Sequence, residues 1–339
     1  MSTRHTTDEQ HVSHSEFNQH NGGTTEQTGV MRRPLIVLSL VLALLLVAGV
    51  LVGSKLYLQK LNNQPVALAE LPSPEADSPQ CAELIDGLPD TVAGHSRATL
   101  ADPAPAGAAV WQTSSAQRVT LRCGVDAPLQ YTELTQTHEL GGAEWIKVTD
   151  PTPGSNLTTW FTVDRSPVVA VTADDAALVN DDAPVADLNL SGLPEESVDP
   201  HRAPLADVAS ISNASAADAA CRELMAQLPD EIAEDYSRLD VTAVHGLESN
   251  AAAWGADGKD PLVLKCGVEP PAHYEPGAQL TQVNDVPWFE DAGSDNASQS
   301  TTLYALGRTT DIAVSVPAGV GEGALTQLSE LIAQHVPEQ

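Results

Sequence analysis

Two copies of one pattern occupy most of this 339-residue sequence, so any fold it adopts has to be built twice. Trp111 precedes Cys123-Gly124-Val125 by 12 positions, and Trp254 precedes Cys266-Gly267-Val268 by 12, an offset of 143. The offset holds without a gap through Pro128 and Pro271, Tyr131 and Tyr274, Trp145 and Trp288, and Arg165 and Arg308. Over residues 111 to 171 it gives 15 identities in 61 positions, mainly on residue types least prone to coincide by composition. Upstream, Cys81-Ala-Glu83-Leu84 with Leu88-Pro89 matches Cys221-Arg-Glu223-Leu224 with Leu228-Pro229 at an offset of 140. Units of a hundred-odd residues can bury their own cores, so these are domains rather than solenoid repeats.

Each unit opens on a short amphipathic helix, with Leu84, Ile85 and Leu88 or Leu224, Met225 and Leu228 on one face. Ser78-Pro79 supplies a cap and a helix-initiating proline, and Pro89 and Pro229 end the helices. Strands are predicted at 119–125, 145–148, 157–163 and 168–172, with counterparts in the second unit that include 262–268. A closing helix is predicted in the second unit from the stripe Leu325, Leu328, Leu331 and Ile332, whereas Pro184 weakens its equivalent in the first. The fold class is α+β: two homologous small domains, each a mostly antiparallel sheet with an N-terminal helix.

Between Leu35 and Val52 the only polar side chain is Ser39, and these 18 residues make about 27 Å of helix, enough to cross the hydrocarbon of a bilayer. A cleaved signal peptide is the rival reading, but the Ala67-Leu68-Ala69 motif lies far beyond the apolar run. The expected organisation is a disordered cytoplasmic tail at 1–33, a transmembrane signal anchor at 34–53, a Pro-rich linker at 54–78 that holds the body off the membrane, the first repeat at 79–190, an acidic linker at 191–214 and the second repeat at 215–339. Arg32 and Arg33 are matched by Lys55 and Lys60, so flanking charge does not orient the helix. All four cysteines lie beyond it, and even cysteine usage there points outside the cell. The net charge of −30 excludes nucleic-acid binding through the bulk surface.

Four cysteines allow three pairings, and duplication selects Cys81 with Cys123 and Cys221 with Cys266, one equivalent staple per unit. Reduced thiols are the alternative, and a zinc site lacks the close cysteine spacing such sites use. Trp145 and Trp288 are candidate ligand contacts because aromatic faces stack on sugars, although repeated tryptophans beside a cysteine also fit a core. Arg165 and Arg308 are candidates for a carboxylate ligand, or partners of a neighbouring acid. Acidic pairs such as Asp174-Asp175 lack the register of a calcium loop, so no metal and no cofactor are expected. The sequence carries no Gly-x-Ser-x-Gly, His-Glu-x-x-His or Gly-Lys-Ser/Thr motif, and the histidines beyond the anchor do not match between repeats. No catalytic residue is assigned.

The Cys-x-x-Leu…Leu-Pro opening, Trp254-Gly255, Leu264-Lys265-Cys266-Gly267-Val268, Trp288 and Gly307-Arg308 resemble a family of membrane-anchored or secreted actinobacterial domains of unknown function. The first unit departs from that pattern at Gln112 and Asp164. The resemblance implies a cell-envelope location and brings no activity with it. The expectation is therefore a non-enzymatic, single-pass plasma-membrane protein whose paired domains face outward and bind an envelope protein. A glycan or peptidoglycan ligand is the alternative, and a hydrolase with an unrecognised site a third.

Overall fold

The structure, a computed structural model, describes residues 33–62, 65–178, 183–211, 215–292 and 299–339. The tail expected at 1–33 lies, apart from Arg33, outside them. Helix α1 (Arg33–Asn62) runs for 30 residues, and its Ile36–Lys55 window has a mean hydropathy of 3.0, long and apolar enough to cross a bilayer. Leu38, Leu42 and Leu45 are exposed on it, an apolar surface that hydrocarbon tolerates far better than water.

In the first repeat, α2 (Pro79–Gly87) begins where the Cys81 amide donates to the Ser78 hydroxyl at 3.2 Å and Pro79 occupies the first turn. Eight strands follow: β1 (Thr91–Val92), β2 (His95–Arg97), β3 (Ala108–Ser114), β4 (Gln117–Cys123), β5 (Thr137–Leu140), β6 (Ala143–Thr149), β7 (Leu157–Thr162) and β8 (Val169–Asp174). They form one sheet in the order β1-β2-β3-β4-β8-β7-β6-β5, antiparallel throughout. Helix α2 lays Cys81 and Leu84, and Leu88 just after it, on the sheet face that carries Trp111, Leu121, Trp145 and Val171.

The second repeat reproduces this arrangement with α3 (Ser215–Gln227), β9 (Glu231–Ile232), β10 (Tyr236–Leu239), β11 (Ala251–Gly255), β12 (Leu262–Val268), β13 (Thr281–Val283), β14 (Val286–Glu290), β15 (Ser300–Ala305), β16 (Asp311–Pro317) and α4 (Glu322–His335). Its strands take the same order, β9-β10-β11-β12-β16-β15-β14-β13. Helix α4 buries Ala324, Leu328 and Ile332, while Leu325 and Leu331 of the expected stripe sit at its margin. Among the described residues the first repeat has no such helix. Pro184 instead opens a 3-10 turn (Pro184–Asp187), and Val185, Leu188, Leu190 and Leu193 complete the core. Strands β3 and β11 escaped the sequence reading because their alanines have little strand propensity.

Both disulfides form as the duplication requires: Cys81–Cys123 closes a separation of 42 residues and Cys221–Cys266 one of 45. Loops of this size contribute about 4 kcal/mol each by the chain-entropy estimate.

Of the stretches expected as linkers, 54–62 belong to α1, and the described residues 65–78 and 191–211 are packed rather than free. Val66 is buried and bridged to Leu100, and the Arg122 guanidinium donates to the Ala69 carbonyl at 2.6 Å. The Glu75 amide donates to the Gly124 carbonyl at 3.1 Å, an approach so close that a Cβ at Gly124 (φ +81°) would sit 2.3 Å from the Glu75 backbone. The second stretch repeats the device: Lys265, aligned with Arg122, donates to the Val208 carbonyl at 2.6 Å, and the Ile211 amide donates to Gly267 at 2.8 Å. Leu205 and Ala206 then join Val241, Val244 and Leu247 in covering the outer face of the second sheet. Strand β12 is consequently buried along its whole length, whereas its counterpart β4 alternates buried with half-buried positions. Leu134 of the first repeat belongs to that same cluster, and His201 bridges to Thr132, so the two repeats share a core through the strap between them.

Candidate functional site

The repeated tryptophans face inward. Trp145 and Trp288 are 0% and 1% exposed, and their indole N–H groups donate to the Leu140 carbonyl (2.9 Å) and the Ser329 hydroxyl (3.0 Å). Trp111 and Trp254 make one identical bond, each donating at 2.9 Å to the carbonyl of the proline that ends the opening helix, Pro89 or Pro229. That bond explains why a Leu-Pro and a later Trp recur together although their offsets differ.

The repeated arginines are 6% and 4% exposed and satisfy backbone carbonyls. Arg308 donates to the Asp285 carbonyl at 2.5 Å and the Val336 carbonyl at 3.4 Å, and its backbone bridges to Glu338. Arg165 donates to the Gly142 carbonyl at 2.5 Å and bridges to Glu195, the same partners shifted by 143. Asp164, which stands where the second repeat has glycine, adds an ion pair to Arg165 at 2.8 Å. Each arginine thus fastens the closing Leu-Pro-Glu or Val-Pro-Glu segment to its sheet, and the surface above Arg165 is walled by Glu139, Glu144 and Glu195.

Where the repeats meet, a second group of residues comes together that sequence reasoning had passed over. The β11–β12 hairpin of the second repeat sets its tip against β6 of the first. The Thr149 amide donates to the Gly258 carbonyl at 2.7 Å, while Lys147 (2.8 Å) and His138 (2.9 Å) both reach the Asp257 carboxylate. Gly258 (φ +74°) is required, since a Cβ there would lie 2.6 Å from the Thr149 hydroxyl. Partial burial pushes the Asp257 carboxyl up, but hydrogen bonds and charge from Lys147 and His138 outweigh it and hold the group below the usual carboxylate range.

Beside the tip lies a cleft of about 210 Å³, with Gln130, Thr152 and Ser155 on one wall and Lys259, Asp260 and Gln299 on the other. Asp150 accepts from the Thr152 amide and hydroxyl, which holds its carboxyl low, whereas burial raises that of Asp260. Tyr236 donates to the Asp260 carbonyl at 3.2 Å, and burial with the neighbouring Asp260 and Asp235 charges keeps its phenol protonated far into base. Among the described residues no cluster of three or more His, Cys, Asp or Glu side chains suited to a metal occurs. The signal that marks the junction is divergence: Asp257-Gly258 aligns with Ser114-Ser115, Lys147 with Glu290, and His138 with Thr281. In a head-to-tail contact one copy supplies the tip and the other the edge, so each copy uses only one half of the contact.

The class defined by these features is a tandem of disulfide-stapled antiparallel domains behind an apolar helix. A family model described as a protein of unknown function, DUF3515, matches residues 40–197 and again 189–339, and the chain belongs to that family twice over. The second match begins ahead of α3, in the closing segment of the first repeat, and so takes in the whole strap that packs on the second sheet. No curated protein and no solved structure matches the chain.

Proposed function

We propose that this is a single-pass, non-enzymatic membrane protein, its N-terminus cytoplasmic and its two-repeat body outside the membrane, and that the body binds another protein of the cell envelope. The observation that carries the reading is the use made of the residue types that recur. The tryptophans fill cores, the arginines fasten closing segments and the cysteines form staples, so duplication has preserved a scaffold rather than a reacting constellation. Two disulfides after an apolar helix support the outward placement, because such bonds persist in oxidising compartments. Photo-crosslinking of the full chain in intact cells is expected to recover one recurrent envelope protein, and repeated recovery of nothing above background overturns the reading.

A glycan or peptidoglycan ligand is a second reading, favoured by the hydroxyl- and amide-lined cleft between the repeats. The full chain in detergent would then pellet with isolated cell wall at low and high salt alike, since screening removes only charge-driven association. A supernatant that retains the chain at both salts dismisses this reading.

A further inference from the structure

The junction between the repeats is head-to-tail: a hairpin tip of one unit enters the edge of the next, and the two surfaces differ. Contacts of that kind leave one tip and one edge unmatched. Among the described residues the unmatched tip is the β3–β4 hairpin at Ser114-Ser115, and the unmatched edge is the end of β14. In the first repeat, β5 covers β6 only as far as Ile146, and the incoming tip occupies the remainder at Lys147 and Thr149, which are half-buried as a result. In the second repeat, β13 covers β14 only as far as Trp288, and the equivalent positions Glu290 and Ala292 are exposed, as is Thr281, which replaces His138.

We propose that this open edge of the second repeat is a docking site for a hairpin or loop of a partner protein that carries a lysine or arginine where the internal tip carries Asp257. The geometry is the one the molecule already uses, a tip carbonyl meeting a sheet-edge amide while the preceding side chain meets the charge at the Lys147 position. Reversal of that charge to Glu290 reverses the tip it accepts. A second copy of this chain does not supply such a tip, because Ser114 and Ser115 are neutral. Protein edge recognition of this type takes its affinity from main-chain bonds and its selectivity from the flanking side chains. The inference rests on the reading of the body as a protein-binding module and gives that module its address.

The test uses the full chain in lipid nanodiscs and two cyclised peptides spanning 251–264, one native and one with Asp257→Lys. By fluorescence anisotropy the lysine peptide should bind the wild-type chain about tenfold more tightly than the native peptide, the difference between an attractive and a repulsive exposed pair. The Glu290→Lys chain should reverse that order. Glu290 is exposed, so the variant leaves the core intact; unchanged near-ultraviolet dichroism verifies this. Equal binding of the two peptides, no binding of either, or a preference that Glu290→Lys leaves alone each overturns the site. Self-association of the wild-type chain that disappears with Glu290→Lys overturns the choice of occupant. If the peptides fail while Glu290→Lys still crosslinks the same cellular partner as wild type, the docking site falls and the binding module stands.

Discussion

Arg308 is buried and donates to two backbone carbonyls, those of Asp285 and Val336. Truncation leaves both acceptors without a donor, and a buried unsatisfied acceptor costs about 1–3 kcal/mol. Arg308→Ala is therefore expected to destabilise the second repeat by about 2–4 kcal/mol, read from the urea midpoint of the full chain in detergent. Arg308→Lys should recover little of that loss, because a single ammonium does not reproduce the fork that spans two carbonyls. An unchanged midpoint for Arg308→Ala would return the residue to a ligand-binding role. The spacing of these arginines and of Trp145 and Trp288 is plain in the sequence, but their role is not. Whether a repeated aromatic is platform or core depends on what packs over it, and the groups that settle the matter, Leu140 and Ser329, are a carbonyl and a hydroxyl with no periodic signature.

Among the elements, the straps and the hairpin tip were the parts hidden from sequence. Arg122 finds Ala69 across 53 residues and Lys265 finds Val208 across 57, contacts that leave the strap looking like polar, proline-rich linker. The disulfides, by contrast, were legible because the duplication halves the problem, and β12 was legible because a strand buried on both faces reads as an apolar run, broken here only by Lys265. The tip has a pH dependence whose sign follows from Asp257. Its carboxyl is depressed in the folded state, so its contribution is complete above the unfolded-state value and is lost as pH falls through the folded one. Protection of the Thr149 amide against hydrogen exchange should accordingly be higher at about pH 7 than at about pH 3 after correction for intrinsic rates. Asp257→Asn should lower that protection about two- to fivefold at neutral pH and flatten its pH dependence, the size expected of a half-exposed ion pair. A pH dependence that survives in Asp257→Asn would move the titration to another group.

For the whole molecule the balance of charge is lopsided: beyond Lys60 there are 42 acidic and 11 basic residues. Two effects of salt compete. Screening weakens attractive pairs such as Lys147–Asp257 and Lys259–Asp235, and it also weakens repulsion among the surplus carboxylates. These pairs are half-exposed, worth at most about 1 kcal/mol each, and few beside the excess of like charge. Repulsion should therefore win. Raising sodium chloride from about 0.02 M to about 0.5 M, which shortens the screening length from about 20 Å to about 4 Å, is expected to raise the unfolding temperature of the full chain in detergent. A gain of about 1 kcal/mol corresponds to about 2–4 °C for a body of this size. Asp257→Asn, which lacks the main attractive pair at the junction, should gain at least as much as wild type, because it has less to lose from screening. A fall in unfolding temperature with salt would mean that the junction and its ion pairs, rather than the acidic surface, govern the stability of the two-repeat body.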